Sequence, residues 1–163
     1  MGLKESGLRG SLRNVSVGIS AIPDSTVERP DDNNSASRES GGIVFESTET
    51  WPSIGFEISS NTSGFDTAEL IDTSDSSVVE SKDVSDLSGG DTFTMEKVNL
   101  SADTEYAIII SADSGDMTVG QNTDSVMPIS GDDGVLTMVA SRLEGDTRED
   151  SINVRKIGNI GGL

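Results

Sequence analysis

Residues 53–59, SIGFEIS, decide the fold class, because Ile54, Phe56 and Ile58 alternate with small or polar residues. A period of two is typical of a β-strand that has one face in a core and the other face in solvent. No stretch of the sequence combines an apolar stripe with the length of a helix of several turns. The alternation therefore predicts a fold built from antiparallel strands.

Similar short patterns lie on both sides of this strand, and turn residues separate them at intervals of roughly 8–12 residues. The most apolar run is EYAIIISAD at residues 105–113, which we expect to form the central strand. This spacing predicts an all-β protein, an antiparallel β-sandwich or jelly roll. The remaining predicted strands are residues 43–46, 65–72, 77–81, 91–98, 117–120, 125–130, 134–141 and 151–158.

The alternation also identifies core residues within these strands. Tyr106 stands near the start of the central strand, so we expect its ring to be buried and its hydroxyl to reach a backbone partner at the rim of the sandwich. These are packing residues rather than functional ones. We expect the core to contain Ile54, Phe56, Ile58, Ile108, Ile110, Leu136 and Val139.

The distribution of glycine, proline and apolar residues divides the chain into three segments. Residues 1–22 predict an extended N-terminal arm, because valine and isoleucine alternate over residues 15–19 and three glycines in the first ten residues disfavour a helix. Residues 23–42 are rich in Pro, Asp, Asn, Ser and Gly and predict a linker. Residues 43–163 then form the sandwich domain.

The arm is the candidate assembly element of the chain. An extended segment with alternating apolar residues can dock on a neighbour by adding a strand to the neighbour's sheet. The alternatives are a loose tail and a first strand of the domain's own sheet. The candidate assembly contacts are Leu8, Arg9, Leu12, Arg13, Val15, Val17 and Ile19.

The net charge changes along the chain. Residues 30–150 carry 26 acidic and 5 basic side chains, a net charge of −21. By contrast, residues 1–29 have a net charge of +1 and residues 151–163 a net charge of +2. Carboxylates at this density repel one another in dilute buffer, but at molar salt the Debye length falls to about 3 Å and the charge favours solubility. We therefore expect a protein adapted to a hypersaline medium, with an acidic body held by its less acidic ends.

Composition leaves few routes to catalysis. The chain contains no His and no Cys, which removes the commonest general base and every thiolate. A pair of carboxylates could serve a glycosidase, but such a site needs a raised pKa and usually aromatic platforms, and the chain has only six aromatic residues. We expect no enzymatic activity. The basic residues are too dispersed for a nucleic-acid site, and no apolar run has the length of a membrane span.

Two sets of residues are candidates for binding. Trp51 stands just ahead of a strand and is either a contact for a ligand or the host surface, or a core residue. Carboxylates in turn-rich loops suit a structural calcium ion, although their spacing is not that of an EF-hand and solvated loops are the alternative. We expect no other cofactor. The candidate calcium ligands are Asp72, Asp75, Asp113 and Asp116.

Three segments together resemble a known group of proteins. They are residues 1–25 (MGLKESGLRGSLRNVSVGISAIPDS), residues 51–64 (WPSIGFEISSNTSG) and residues 100–115 (LSADTEYAIIISADSG). The likeness is to small structural proteins of haloarchaeal tailed viruses and proviruses, in which such an arm precedes a sandwich module, and it covers most of residues 1–120. The layout is also similar to jelly-roll carbohydrate-binding modules, except that no aromatic strip is evident on either face.

The resemblance implies a non-enzymatic structural protein of the virion, on the surface of the extracellular particle as part of the tail, the baseplate or a capsid turret or decoration. It implies a homo-oligomer whose other partners are virion proteins, with the host cell-surface glycoprotein or glycan as a further contact. The alternative is an adhesin-like module that binds a glycan or the host surface.

Overall fold

The computed structural model describes residues 22–28, 31–122, 127–142, 148–149, 154–155 and 157–162. Within these ranges the protein is all-β, its strands pair antiparallel, and no helix is present, which confirms the predicted antiparallel sandwich. The strands are β1 (Thr26–Glu28), β2 (Asn34–Arg38), β3 (Ser40–Ser47), β4 (Ile54–Ile58), β5 (Thr67–Asp72), β6 (Ser77–Asp83), β7 (Thr92–Met95), β8 (Thr104–Ser111), β9 (Met117–Asn122), β10 (Ile129–Ser130), β11 (Leu136–Arg142), β12 (Arg148–Glu149), β13 (Val154–Arg155) and β14 (Ile157–Gly161).

Three sheets make up the described part of the domain. The wide sheet has the order β10-β11-β3-β8-β5-β6, and β12 also pairs with β11. The narrow sheet has the order β1-β14-β4-β7, and a small third sheet has the order β13-β9-β2. Strand β8 lies between β3 and β5 in the wide sheet, so the prediction that residues 105–113 form the central strand is confirmed.

The core lies between the wide and the narrow sheet and is crossed by a chain of aromatic rings. Phe45 on β3 packs edge-on against Phe56 on β4, with 5.7 Å between ring centroids. Phe45 also contacts Tyr106 at 6.2 Å, and Phe56 contacts Phe93 at 5.5 Å. Such pairs add roughly 0.5–1.5 kcal/mol each to the hydrophobic gain from burying the rings. The four rings therefore join β8 and β3 of one sheet to β4 and β7 of the other.

The predicted core is confirmed at six of its seven positions. Ile54, Phe56, Ile58, Ile108, Ile110 and Leu136 are all buried in the main cluster. Val139 is the exception. A β-bulge between Met138 and Ala140 shifts the register of β11 against β3. Val139 lies on the other face of the wide sheet by the period of two from Leu136 and Met138, and the bulge turns Ala140 to that face as well. Both residues belong to a smaller apolar cluster there.

The environment of Tyr106 also agrees with the sequence-based expectation. Its ring is buried, and its hydroxyl oxygen accepts a hydrogen bond from the backbone N–H of Ser101 at 3.0 Å.

The predicted linker over residues 23–42 is wrong where it contains strands. Strand β1 pairs with β14, and strand β2 pairs with β9. Val27 on β1 is fully buried in the main core, whereas β2 (NSASR) carries no large apolar side chain and is held by its backbone pairing. The folded domain therefore begins before residue 43. The sequence does not predict β1 and β2, because the composition of this segment is mostly polar.

Gly161 on β14 lies where the chain packs closely against β1. Its φ is +147°, and a Cβ at this position would lie 2.2 Å from the carbonyl oxygen of Ser25. Both the backbone conformation and the space therefore require glycine. Gly115 has a φ of +73° but open space around it. A substitution by alanine at Gly115 therefore carries the cost of the backbone conformation without a steric clash.

We expect Gly161→Ala to lower the free energy of unfolding by roughly 2–3 kcal/mol, since it adds a backbone clash to an unfavourable φ. Gly115→Ala should cost only about 1 kcal/mol. Urea unfolding followed by the fluorescence of the single tryptophan, which is buried, measures both variants. Equal losses for the two variants would contradict the close packing of β14 on β1.

Candidate assembly site at the root of the arm

The candidate assembly contacts, Leu8, Arg9, Leu12, Arg13, Val15, Val17 and Ile19, lie outside the described residues. Their contacts stay predictions. What the structure does describe is the place where the arm joins the domain, residues 22–28, which we call the root. Ile22 at its start is exposed, and the chain enters the narrow sheet a few residues later.

The root is held against the last strand of the chain. In the β1–β14 ladder Thr26 faces Gly161 and Val27 faces Ile160. Beyond the ladder, the N–H of Gly162 donates to the carbonyl oxygen of Ser25 at 3.0 Å. The segment that leads to the arm and the C-terminal end of the domain therefore lie side by side.

A polar contact fastens the root to a distant turn. The hydroxyl of Ser25, which is buried, donates to Oδ1 of Asp133 at 3.0 Å. The backbone N–H of Val135 donates to the same oxygen at 3.0 Å. The Val135 hydrogen bond first, and the Ser25 hydrogen bond second, lower the pKa of Asp133 from its ordinary value of 3.8. No sequence signal links two residues 108 positions apart, so this contact could not be foreseen.

Replacing the Asp133 carboxylate should destabilise the domain only where that carboxylate is ionised. A lowered pKa in the folded state gives stability that is present above pH 3.8 and is lost as the pH falls through the folded-state pKa. We therefore expect Asp133→Asn to lower the thermal midpoint at neutral pH and to match the wild type in strong acid.

Asp132→Asn is the matched control, because it removes the same charge from the neighbouring exposed residue. Thermal unfolding of all three proteins across the acid range provides the measurement. A deficit of Asp133→Asn that persists unchanged into strong acid would show that the hydrogen-bonded carboxylate is not its cause.

The four candidate calcium ligands do not converge. Asp72 lies at one end of the β5–β8 ladder, opposite Tyr106, whereas Asp113 follows the other end, where Thr67 faces Ser111. The two ends are roughly 17 Å apart at the usual rise of an antiparallel strand.

Each of these carboxylates instead accepts a hydrogen bond from another group of the protein. Asp72 Oδ1 accepts from the N–H of Ser74 at 2.9 Å, and Asp75 Oδ1 accepts from the N–H of Ser77 at 2.9 Å. Hydrogen bonds from Ser77 lower the pKa of Asp75. The remaining two accept from hydroxyls on strands: Asp113 accepts from Thr67 Oγ1 on β5 at 3.4 Å, and Asp116 accepts from Ser37 Oγ on β2 at 2.7 Å.

Among the described residues no group of three or more His, Cys, Asp or Glu side chains could hold a metal ion. None of the described Asp and Glu residues is buried as a whole, although the Oε2 atom of Glu80 is buried. The described carboxylates lie at turns and on partly or fully exposed parts of the surface.

The expectation that Trp51 contacts a ligand or the host surface is wrong, because Trp51 is buried. Trp51 has an exposed fraction of 0%, and its indole Nε1 donates to Ser47 Oγ at 2.8 Å. Its backbone exchanges two hydrogen bonds with Leu100, at 3.0 and 2.7 Å. A lone tryptophan ahead of a strand is here part of the core, because its large apolar ring fills the end of the sandwich and its N–H finds an internal acceptor.

Burial extends to every aromatic residue of the chain. Phe45, Phe56, Phe65, Phe93 and Tyr106 are at most 6% exposed, and with Trp51 they are all six aromatics. No ring is therefore available on the surface as a platform for a sugar.

The comparisons with known proteins identify no relative. No family model matches the chain, and no curated protein and no solved structure matches it. Among the described residues, no helix has the length and apolar character needed to cross a membrane.

Proposed function

We propose that this chain is a non-enzymatic structural protein of the virion of a halophilic archaeal tailed virus. Its N-terminal arm anchors it to the particle, at the tail, the baseplate or a capsid turret or decoration. The β-sandwich is displayed outward, where it contacts the host surface. The partners are other virion proteins and further copies of the chain, and the protein works at the particle surface in a hypersaline medium.

The geometry of the root is the observation that carries this proposal. Residues 1–29 and 151–163 are the segments with a net positive charge, +1 and +2, whereas residues 30–150 have a net charge of −21. The pairing of β1 with β14 places residues 26–28 and residues 159–161, one stretch from each of these segments, side by side at the edge of the narrow sheet. This polarity supports a domain that is held on one side and repels its neighbours elsewhere.

The alternative function, an adhesin-like module that binds a glycan, finds less support in the surface. Sugar-binding modules commonly stack sugar rings on exposed aromatic side chains, and all six aromatics of this chain are buried. Host contact in the proposed role would therefore depend on polar groups of the displayed surface.

A hypersaline location makes a prediction about stability. Between about 0.1 and 1 M salt the Debye length falls from about 10 to about 3 Å, so repulsion among the surface carboxylates is screened. We expect the thermal midpoint of unfolding to rise by roughly 5 °C or more over that range, as monitored by tryptophan fluorescence. A rise of the same size in a nonionic osmolyte of equal osmolality would exclude charge screening as the cause.

Deleting the arm tests the docking role directly. We expect a variant that lacks residues 2–21, and so keeps the root, to fold normally but to be lost from particles purified at molar salt from a virus-producing haloarchaeal culture. Mass spectrometry of gradient-purified particles gives the occupancy of the variant relative to the full chain. The fluorescence of Trp51 and the unfolding midpoint confirm that the truncated domain is folded.

Two outcomes would contradict separate parts of the proposal. If the full chain is missing from purified particles, the virion role is wrong. If the truncated chain is retained at full occupancy, the arm is not the anchor, and the sandwich itself must make the attachment. A full-length variant with Val15, Val17 and Ile19 replaced by serine controls for length, and we expect it to be lost in the same way as the deletion.

A further inference from the structure

A groove on the outer face of the narrow sheet lies next to the root. Its volume is about 520 Å³, and it is open to solvent. Gly55 on β4 is flanked in the sheet by Thr94 on β7 and Gly161 on β14, and this row of three forms the floor. The floor faces away from the core, because the neighbouring Ile54 and Phe56 are buried inside. Because Gly55 has no side chain, the floor leaves a depression at the middle of this row.

An exposed apolar side chain stands at the rim of this groove. Ile22 lines the groove and is 54% exposed, the largest exposed fraction among the big apolar residues that the structure describes. Few large apolar side chains are exposed among the described residues, and this one lies beside a depression with a mostly apolar lining. A protruding side chain next to a groove suits a two-fold contact, because each copy then offers both the side chain and the groove to the other copy.

The charges at the far side of the groove are self-complementary as well. Glu96 and Lys97 are adjacent, exposed and part of the lining. Lys97 is one of only 5 basic residues against 26 acidic ones over residues 30–150. It is held with a φ of +60°, which is uncommon for a residue other than glycine and costs of order 1 kcal/mol or more.

We propose that the groove is a docking surface for a second copy of this chain. In a two-fold contact, Ile22 of each copy enters the groove of the other, and Lys97 of each copy faces Glu96 of the other. The occupant is a copy of the chain rather than a small molecule, because the groove has one lysine and one glutamate at its edge instead of several polar groups converging on a buried centre. The contact also brings the two roots together, so two arms would leave from one place.

The absence of cysteine from the chain permits a direct test. Ile22→Cys and Thr94→Cys are prepared separately, mixed at molar salt and oxidised. Because each copy carries one thiol, an Ile22–Thr94 disulfide can form only between copies, and mass spectrometry identifies it. We expect this cross-link to dominate over the one formed when Ile22→Cys is mixed with Thr92→Cys, which lies on the same face of β7 but outside the groove.

Filling the groove with a larger side chain provides a second test, which needs no cross-linking. Thr94→Phe places a large side chain on the floor, and we expect it to raise the dissociation constant of the dimer about tenfold or more by sedimentation at molar salt. Thr92→Phe is the control and should leave the dissociation constant unchanged. Tryptophan fluorescence and the unfolding midpoint confirm that each variant is folded.

Three results would overturn the proposal. They are a wild-type protein that stays monomeric at molar salt and high protein concentration, a dimer that Thr94→Phe does not weaken, and equal cross-linking of Ile22→Cys to residues 92 and 94. None of these depends on the presence of a virus particle, so the dimer and the virion role can fail independently.

Discussion

The pairing of β1 with β14 is the constraint on which the rest of the structure depends. It joins residues 26–28 to residues 159–161 and so closes almost the whole chain into one loop. Strand β14 in turn pairs with β4, so the narrow sheet that covers the aromatic core needs the last strand in place. Contacts so distant in sequence form late and cost loop-closure entropy, which favours a fold completed only when both ends have met. The same pairing fixes where the arm leaves the domain, and it therefore connects the stability of the fold to the proposed anchoring.

The apolar interior and the acidic surface of the domain have different roles. All six aromatics and most of the described large apolar side chains are buried, whereas no described Asp or Glu residue is buried as a whole. The interior thus supplies the stability, and the surface charge sets solubility and self-repulsion according to the salt concentration. The exposed Ile22, Gly55 on the floor of the groove and the adjacent Glu96 and Lys97 interrupt this pattern beside the root. These features lie next to the place where the arm leaves the domain.

The sequence was most informative where side chains alternate. Strand β4 and the central strand β8 could be predicted because Ile54, Phe56, Ile58, Ile108 and Ile110 each follow a period of two. Strand β2 could not, since its polar residues are held by backbone hydrogen bonds that leave no trace in composition. The prediction for Val139 was wrong because Val139 stands three positions after Leu136, so a period of two places it on the opposite face of β11. The site at the root was visible only as a charge difference, since the Ser25–Asp133 contact and the groove arise from residues far apart in the chain.

Density for an intact particle tests the central claim most directly, since it shows both whether the domain is present and which way it faces. We expect a sandwich-sized projection on the tail, baseplate or capsid surface, with the β1–β14 edge toward the particle and a thin connection leaving at residue 22. Paired projections joined near that edge would place the groove between copies. A particle without this domain, or one that holds it with the β1–β14 edge pointing to solvent, would contradict the proposed anchoring.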